Sequence, residues 1–187
     1  MPLTELLNLR QLLHQTPEIA GEESATAEKI LAFFANLQPD QTIQNLGGTG
    51  LAFIFKGKNP GKRILFRAEL DALPIQETGD PSYKSLTAGN AHLCGHDGHM
   101  TIICGLGEKL ANKRPDYGEV VLLFQPAEET GEGARRILDD PQYKQIKPDY
   151  AFALHNLPGF PLHQIVTRKG TFAAGSTGLT ITLTGKT

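Results

Sequence analysis

Three predicted buried strands, each followed by groups that can bind a metal or move a proton, constrain the fold most. The strands are Arg63–Leu70 (RILFRAEL), Glu119–Phe124 (EVVLLF) and Tyr150–Leu154 (YAFAL). Short, largely apolar runs of this kind are typical of strands covered on both faces of a sheet. Since ligands bind at the carboxyl ends of strands in open α/β sheets, the pattern predicts a site at one sheet edge.

The groups at or after the ends of these strands are Glu69 and Asp71, Glu128 and Glu129, and His155. Any one of them taken singly is explained as a polar residue where a strand meets solvent. Glu128 and Glu129 are more informative because adjacent carboxylates repel each other, and burying both is costly without a cation. One member of such a pair can bind a metal while the other accepts a proton from water.

Helical and strand patterns alternate along the chain. The predicted helices are Thr4–Gln15, Glu23–Leu37, Met100–Leu110 and Gly133–Leu138, and two further strands are predicted at Leu51–Phe55 and Gln164–Arg168. This alternation predicts an α/β fold, a three-layer sandwich around a mostly parallel central sheet.

The densest group of potential ligands is Ala91–His99 (AHLCGHDGH), with three of the six histidines and one of the two cysteines. Imidazole, thiolate and carboxylate together suit a transition metal rather than calcium or magnesium. If the backbone before the next helix is extended, three side chains share one side: His92, Cys94 and His96. We predict Cys94 and His96 as direct ligands. Asp97 is expected to cap the helix, and His99 to orient a ligand or simply to start that helix.

Composition excludes several classes of protein. A net charge of -2 without Lys/Arg runs argues against nucleic-acid binding, and no stretch is long and apolar enough for a transmembrane helix. The amphipathic start carries acids and predicts no signal or transit peptide, so we expect a cytoplasmic protein. Cys94 and Cys104 do not suggest a disulfide framework, and Cys104 is expected to be a buried core thiol.

Four stretches resemble, in order, the amidohydrolase branch of the M20 metallopeptidases. They are Phe66–Glu77 (FRAELDALPIQE), His92–His99 (HLCGHDGH), Phe124–Glu129 (FQPAEE) and Ala153–Asn156 (ALHN). That branch contains hippurate hydrolases, auxin-conjugate hydrolases and N-acetyl-diaminopimelate deacetylases. The resemblance covers nearly the whole chain and implies a metal-dependent amidohydrolase that cleaves N-acyl amino acids or related conjugates.

The resemblance also implies roles for individual residues. A site for two divalent ions, manganese or zinc, would have the ligands Cys94, His96, Glu129 and His155. Glu128 would be the general base that activates the bridging water, and Asp71 an acid that orients a ligand. Supporting positions around the ligands would be Glu69, His92, Asp97 and His99. The family usually has Asp where this chain has Glu69, and a common Thr where it has Met100.

The family implies a domain division. Members are about twice as long and insert a smaller α/β lid, so we expect residues 1–170 to be the first part of the catalytic domain. Residues 171–187, with an alternating strand at Leu179–Thr184, would begin the lid, through which full-length members dimerise. The returning half would supply a further histidine ligand.

Two alternatives stay open at this stage. The chain alone is a non-catalytic metal-binding fragment, or it is a hydrolase that uses Cys94 as its nucleophile, with His96 or His155 as the base.

Overall fold

The computed structural model describes residues 3–173, 175, 179 and 181–185. Its helices are α1 (Leu3–Gln15), α2 (Ser24–Phe34), α3 (His96–Asn112) and α4 (Gly133–Asp139), with a 3₁₀ helix at Pro141–Gln145. Its strands are β1 (Gln41–Leu46), β2 (Gly50–Lys56), β3 (Asn59–Glu69), β4 (Tyr117–Gln125) and β5 (Tyr150–Ala153). The four predicted helices and the strands around Leu51, Arg63, Glu119 and Tyr150 are therefore confirmed, with shifted ends. Among these helices none is long and apolar enough to cross a bilayer.

The five strands form one mixed sheet in the order β1-β2-β4-β3-β5. Strand β3 lies parallel to both β4 and β5, whereas β1–β2 and β2–β4 are antiparallel. The parallel arrangement thus holds for the three strands that precede the candidate site residues. Glu69 pairs with Gln125 and Arg67 with Ala153, so the three carboxyl ends lie level at one edge.

The core has two layers, one on each face of the sheet. One face packs against α1, α2 and α3 through the larger cluster, in which Phe34 stacks on Phe53 with ring centroids 3.9 Å apart. The opposite face packs against α4 and the 3₁₀ helix through a smaller cluster that includes Ile54, Val121 and Ile137. Alternate residues of β2 and β4 enter the two clusters, as the two-residue period of a strand requires. The α/β sandwich is confirmed.

Strand β1 was not predicted from the sequence. Only Ile43 and Leu46 of its six residues are buried, because β1 is an edge strand with one face towards water. Two apolar positions in six are too few to distinguish a strand from a polar loop.

The chain divides into two units, Met1–Asn156 and Leu157–Thr187. The predicted strand at Gln164–Arg168 is wrong: these residues have irregular, exposed backbone. Leu179 and residues 181–184 are likewise exposed and not in a strand, and the rest of that predicted strand lies outside the described residues. Alternation marks which side chains share a face, but a strand also needs a neighbouring backbone to bond to. The assignment of residues 171–187 to a lid stays a prediction.

Candidate metal centre

The site lies where three parallel strands end and α3 begins. Asp71 follows β3, Glu128 and Glu129 follow β4, and His155 follows β5, while Cys94 precedes the first residue of α3, His96, by two positions. The convergence of these four segments, predicted from the strand ends, is confirmed.

Cys94, His96 and His155 form one group of potential metal ligands. Their nearest ligand atoms all lie within 4.8 Å of one another, and Cys94 Sγ is 3.3 Å from His155 Nε2. His96 is fully buried, Cys94 is half-buried and His155 is exposed. One thiol and two imidazoles form a soft donor set that suits zinc.

His96 also belongs to a second group, with Glu128 and Glu129. Its Nε2 is 3.8 Å from Glu128 Oε2 and 3.7 Å from Glu129 Oε1. Both His96 Nε2 and Glu129 Oε1 are buried and have no hydrogen-bond partner among the described residues. Buried polar atoms are nearly always paired, so two unpaired atoms facing each other fit a cation between them.

Asp71 holds both of these residues in place. Its carbonyl lies 2.7 Å from His96 Nδ1, which fixes that nitrogen as the donor and leaves Nε2 free for a metal. Its carboxylate Oδ2 accepts the backbone N–H of Glu129 at 2.9 Å. Burial raises the pKa of Asp71, although the backbone hydrogen bonds from Glu129 and Glu128 oppose that shift. The side chain therefore acts on Glu129, while His96 is oriented by the main chain.

Glu69 and His99 extend the site beyond the glutamate pair. Glu69 Oε2 is 2.9 Å from His99 Nδ1, and Glu69 Oε1 accepts from Arg67 at 2.5 Å. Burial disfavours the charged carboxylate, but the His99 hydrogen bond and the Arg67 charge outweigh it and lower the pKa of Glu69. Glu69, His96 and His99 also place ligand atoms within 4.8 Å of one another. His99 Nε2 faces Asn156 Oδ1 at 2.7 Å, a contact that the sequence did not single out.

Two expectations for the histidine-rich segment are wrong. Residues 92–96 are not an extended run, because Gly95 (φ +101°) turns the chain and His96 is already helical. Asp97 does not cap α3; its Oδ2 accepts from Arg10 Nε at 3.0 Å and lies 2.9 Å from His14 Nδ1. The side chain thus ties α3 to α1.

His92 is buried at 3% exposure, and neither of its ring nitrogens has a partner among the described residues. Burial lowers the pKa of His92 to about 4, so the ring is neutral near pH 7. His92 therefore lies in the interior as an uncharged ring, and its supporting role stays a prediction.

The cluster of side chains that Asp97 contacts was not predicted from the sequence. His14 lies between Asp97 and Glu77, with its Nε2 3.2 Å from Glu77 Oε1, and Arg10 donates to the Tyr83 hydroxyl at 3.3 Å. The available signal was the spacing of Arg10 and His14, one helical turn apart on α1.

The surroundings of Cys94 bear on its chemistry. Burial, followed by the carboxylates of Glu129, Glu128 and Glu69, raises the pKa of Cys94 to about 12. A thiolate is disfavoured there unless a cation is also present. The cysteine-nucleophile alternative needs that thiolate without a metal, so the local charges disfavour it.

The comparisons with known proteins identify the family. The profile of peptidase family M20/M25/M40 matches residues 65–184. N-Acetyldiaminopimelate deacetylases of Enterococcus faecalis and Listeria innocua are 39% and 37% identical to the chain over 97% and 98% of it. The crystal structure of the Bacillus subtilis YXEP protein, described as a dinuclear metal-binding peptidase of the M20 family, has 35% identity and a TM-score of 0.78 over 84% of the chain.

The aligned region covers most of this chain but only about half of each relative. The aligned region covers 48% and 49% of the two deacetylases and 44% of the YXEP chain, so this chain spans about half the length of these relatives. The family profile matches well over half of the chain itself. The chain belongs to peptidase family M20/M25/M40, a family of hydrolases.

Proposed function

We propose that this chain carries the larger part of the metal site of an amidohydrolase, which splits an N-acyl amino acid into a carboxylic acid and an amino acid. The observation that carries the proposal is a pair of buried atoms, His96 Nε2 and Glu129 Oε1, which lie 3.7 Å apart, have no hydrogen-bond partner in the described part of the chain and are flanked by Cys94 and His155. Polar atoms left unpaired in a protein interior are costly unless something else satisfies them.

Cys94, His96, Glu129 and His155 would hold two divalent ions, zinc or manganese. When bound, such ions polarise the amide carbonyl and lower the pKa of a water molecule. The free Nε2 of His96 and the unpaired oxygen of Glu129 are oriented for ligation by Asp71, through its carbonyl and its carboxylate respectively. The thiol of Cys94 would ionise on binding, because the cation offsets the surrounding carboxylates.

Glu128 is assigned as the general base. Its side chain is 37% exposed against 21% for Glu129, so it is the more accessible of the two to water and substrate. It would take a proton from water and pass it to the nitrogen of the leaving amine. The more buried Glu129, with its unpaired oxygen, is better suited to hold a cation.

The relatives suggest the substrate class. Both deacetylases are named for N-acetyldiaminopimelate. N-Acetyldiaminopimelate is therefore the first substrate to test, followed by other N-acetylated amino acids.

The test combines metal titration with turnover. The metal-free protein is titrated with Zn²⁺ and Mn²⁺, and acetate release is then followed for three forms: wild type, Glu128→Gln and Glu132→Gln. Loss of the base should lower turnover by about 10²–10⁴-fold with little change in metal affinity. Glu132→Gln is the matched control, because this glutamate follows on the same loop and pairs with Arg136 instead.

Glu129→Gln should weaken metal binding itself, which separates the ligand from the base. Normal turnover in Glu128→Gln would refute its assignment as the base. Metal binding without turnover in the wild type would favour the alternative of a non-catalytic metal-binding fragment.

A further inference from the structure

Glu23 is a buried carboxyl group to which the proposed chemistry gives no task. It precedes α2 and is 0% exposed. Its Oε1 accepts from the backbone N–H of Gly21 at 2.9 Å and of Ala127 at 2.8 Å, and its Oε2 accepts from the Thr49 hydroxyl at 2.8 Å. Three donors from three separate segments satisfy this side chain in the protein interior.

The contact with Ala127 matters because of the conformation there. Ala127 has φ +48°, a left-handed backbone that alanine rarely adopts, and it directly precedes Glu128. Its carbonyl accepts from the N–H of Gly133 at 2.9 Å, so both of its backbone groups are bonded. A residue in this conformation persists only where its surroundings fix it. Rotation of Ala127 to a negative φ would redirect both glutamates.

The segment between α1 and α2, which contains Glu23, also contacts the loop after β3. Ala72 donates its N–H to the Glu18 carbonyl at 2.8 Å, and Ile19 forms a parallel bridge with Ala72, the neighbour of Asp71. The linker between α1 and α2 therefore contacts the two loops that carry Asp71, Glu128 and Glu129.

We propose that Glu23 is a positioning residue: it holds Ala127 in the left-handed conformation and so directs Glu128 and Glu129 towards His96. The inference rests on the proposed function for the roles of those two glutamates. The hydrogen bond from the Ala127 N–H to Glu23 Oε1, called the Ala127 clamp below, is a property of the fold. It can be tested without knowing the roles of Glu128 and Glu129.

Two substitutions of Glu23 separate positioning from simple burial. Glu23→Gln keeps all three contacts, because the amide oxygen accepts the two N–H groups and the amide NH₂ donates to the Thr49 hydroxyl. Glu23→Ala removes them all. Thr49→Val is the matched control, since it deletes the contact to Oε2 and leaves the Ala127 clamp on Oε1 intact.

Two quantities are measured for each variant: zinc affinity, by competition with a chelating dye, and amide hydrogen exchange of Ala127, by NMR. Glu23→Ala should weaken zinc binding by about 10- to 100-fold, as expected for a residue that orients ligands. Exchange at Ala127 should accelerate by about tenfold or more. Glu23→Gln and Thr49→Val should stay within about threefold of wild type in zinc affinity, as expected where the orienting contact is kept.

A second-site change tests the conformational argument directly. Glycine adopts φ +48° without strain, so adding Ala127→Gly to Glu23→Ala should recover part of the lost zinc affinity. If Glu23→Ala does not fold, Glu23→Asp carries the same expectation, because it shortens the arm by one methylene and cannot span both Ala127 and Thr49.

The proposal is overturned if Glu23→Ala leaves zinc affinity and Ala127 exchange unchanged. It is equally overturned if Thr49→Val weakens zinc binding as much as Glu23→Ala does, because general destabilisation would then explain both. Wild-type protein that binds no zinc would count against the proposed function instead, and the exchange rates at Ala127 would still decide the clamp.

Discussion

Gly95, between the proposed ligands Cys94 and His96, should tolerate alanine poorly. It has φ +101°, and a Cβ built on it would overlap Asn156 Oδ1 and lie 3.0 Å from Asn156 Cγ. Gly89 offers a matched control: its φ is +79°, and a Cβ there would meet nothing within 4 Å. Gly89→Ala therefore carries the backbone strain alone, while Gly95→Ala carries the strain and the clash.

The strain in each variant costs about 1–2 kcal/mol. In Gly95→Ala the Asn156 amide must also move away, which breaks its contact with His99 Nε2, now 2.7 Å long. The Asn156 backbone N–H stays 3.2 Å from the same nitrogen, so the loss of the side-chain contact costs only about 1 kcal/mol more. The free energy of unfolding of Gly95→Ala should therefore be lower than that of Gly89→Ala by this second amount, which corresponds to about 2–4 °C in melting temperature.

Urea and thermal unfolding followed by circular dichroism measure this difference. Repeating the comparison in an Asn156→Ala background should abolish it, because the clashing side chain is gone and only the strain remains. Equal destabilisation by Gly95→Ala and Gly89→Ala in the wild-type background would refute the placement of Asn156 against Gly95.

Four further substitutions probe the fold around the site. Gly98→Ala, in α3, should raise the free energy of unfolding by about 0.5–1 kcal/mol, because a Cβ there meets nothing within 4 Å. Gly107→Ala should lower the free energy of unfolding, because its Cβ would lie 2.5 Å from Phe34 Cε1. Thermal melts compare the two variants. Phe34→Ala should cost about 3–5 kcal/mol in urea unfolding, and a loss below about 1 kcal/mol would contradict its central place in the core. Hydrogen bonds from the Ser85 N–H and then from His14 lower the pKa of Glu77 below its ordinary value of 4.5. The stability that Glu77 contributes is therefore present above pH 4.5 and is lost as the pH falls through the lowered pKa of the folded state. Urea titrations of wild type and Glu77→Gln should therefore converge towards low pH.

Local patterns predicted the parts of the site that depend on strand ends. The buried strands before Asp71, Glu128 and His155 carry their own signal, and parallel pairing then places their carboxyl ends level. The first residue of α3 was harder to predict, because it depends on one glycine. Gly95 has a left-handed φ and lets the helix begin at His96, four residues before the apolar run that starts at Met100.

The residues that hold the site in place could not be predicted by the same means. Asp97 looks like a helix cap in sequence, yet its partners Arg10 and His14 lie 87 and 83 positions away. Glu23 looks like an exposed acid at the start of a helix, and its partner Ala127 is 104 positions away. A carboxylate before or within a first helical turn is common for local reasons, so the sequence offers no means of telling a cap from a long-range contact.

Glu69, where the family resemblance leads us to expect Asp, shows what such long-range contacts can change. In chemical terms, the change keeps the charge and lengthens the side chain by one methylene. In the structure one oxygen of Glu69 accepts from Arg67 and the other lies 2.9 Å from His99 Nδ1, and His99 in turn faces Asn156 beside the proposed ligand His155. An aspartate would be one methylene shorter and could not make both contacts without a shift of the backbone. The longer side chain therefore lets one buried carboxylate bond within β3 and to His99 on α3, and His99 in turn contacts the segment after β5.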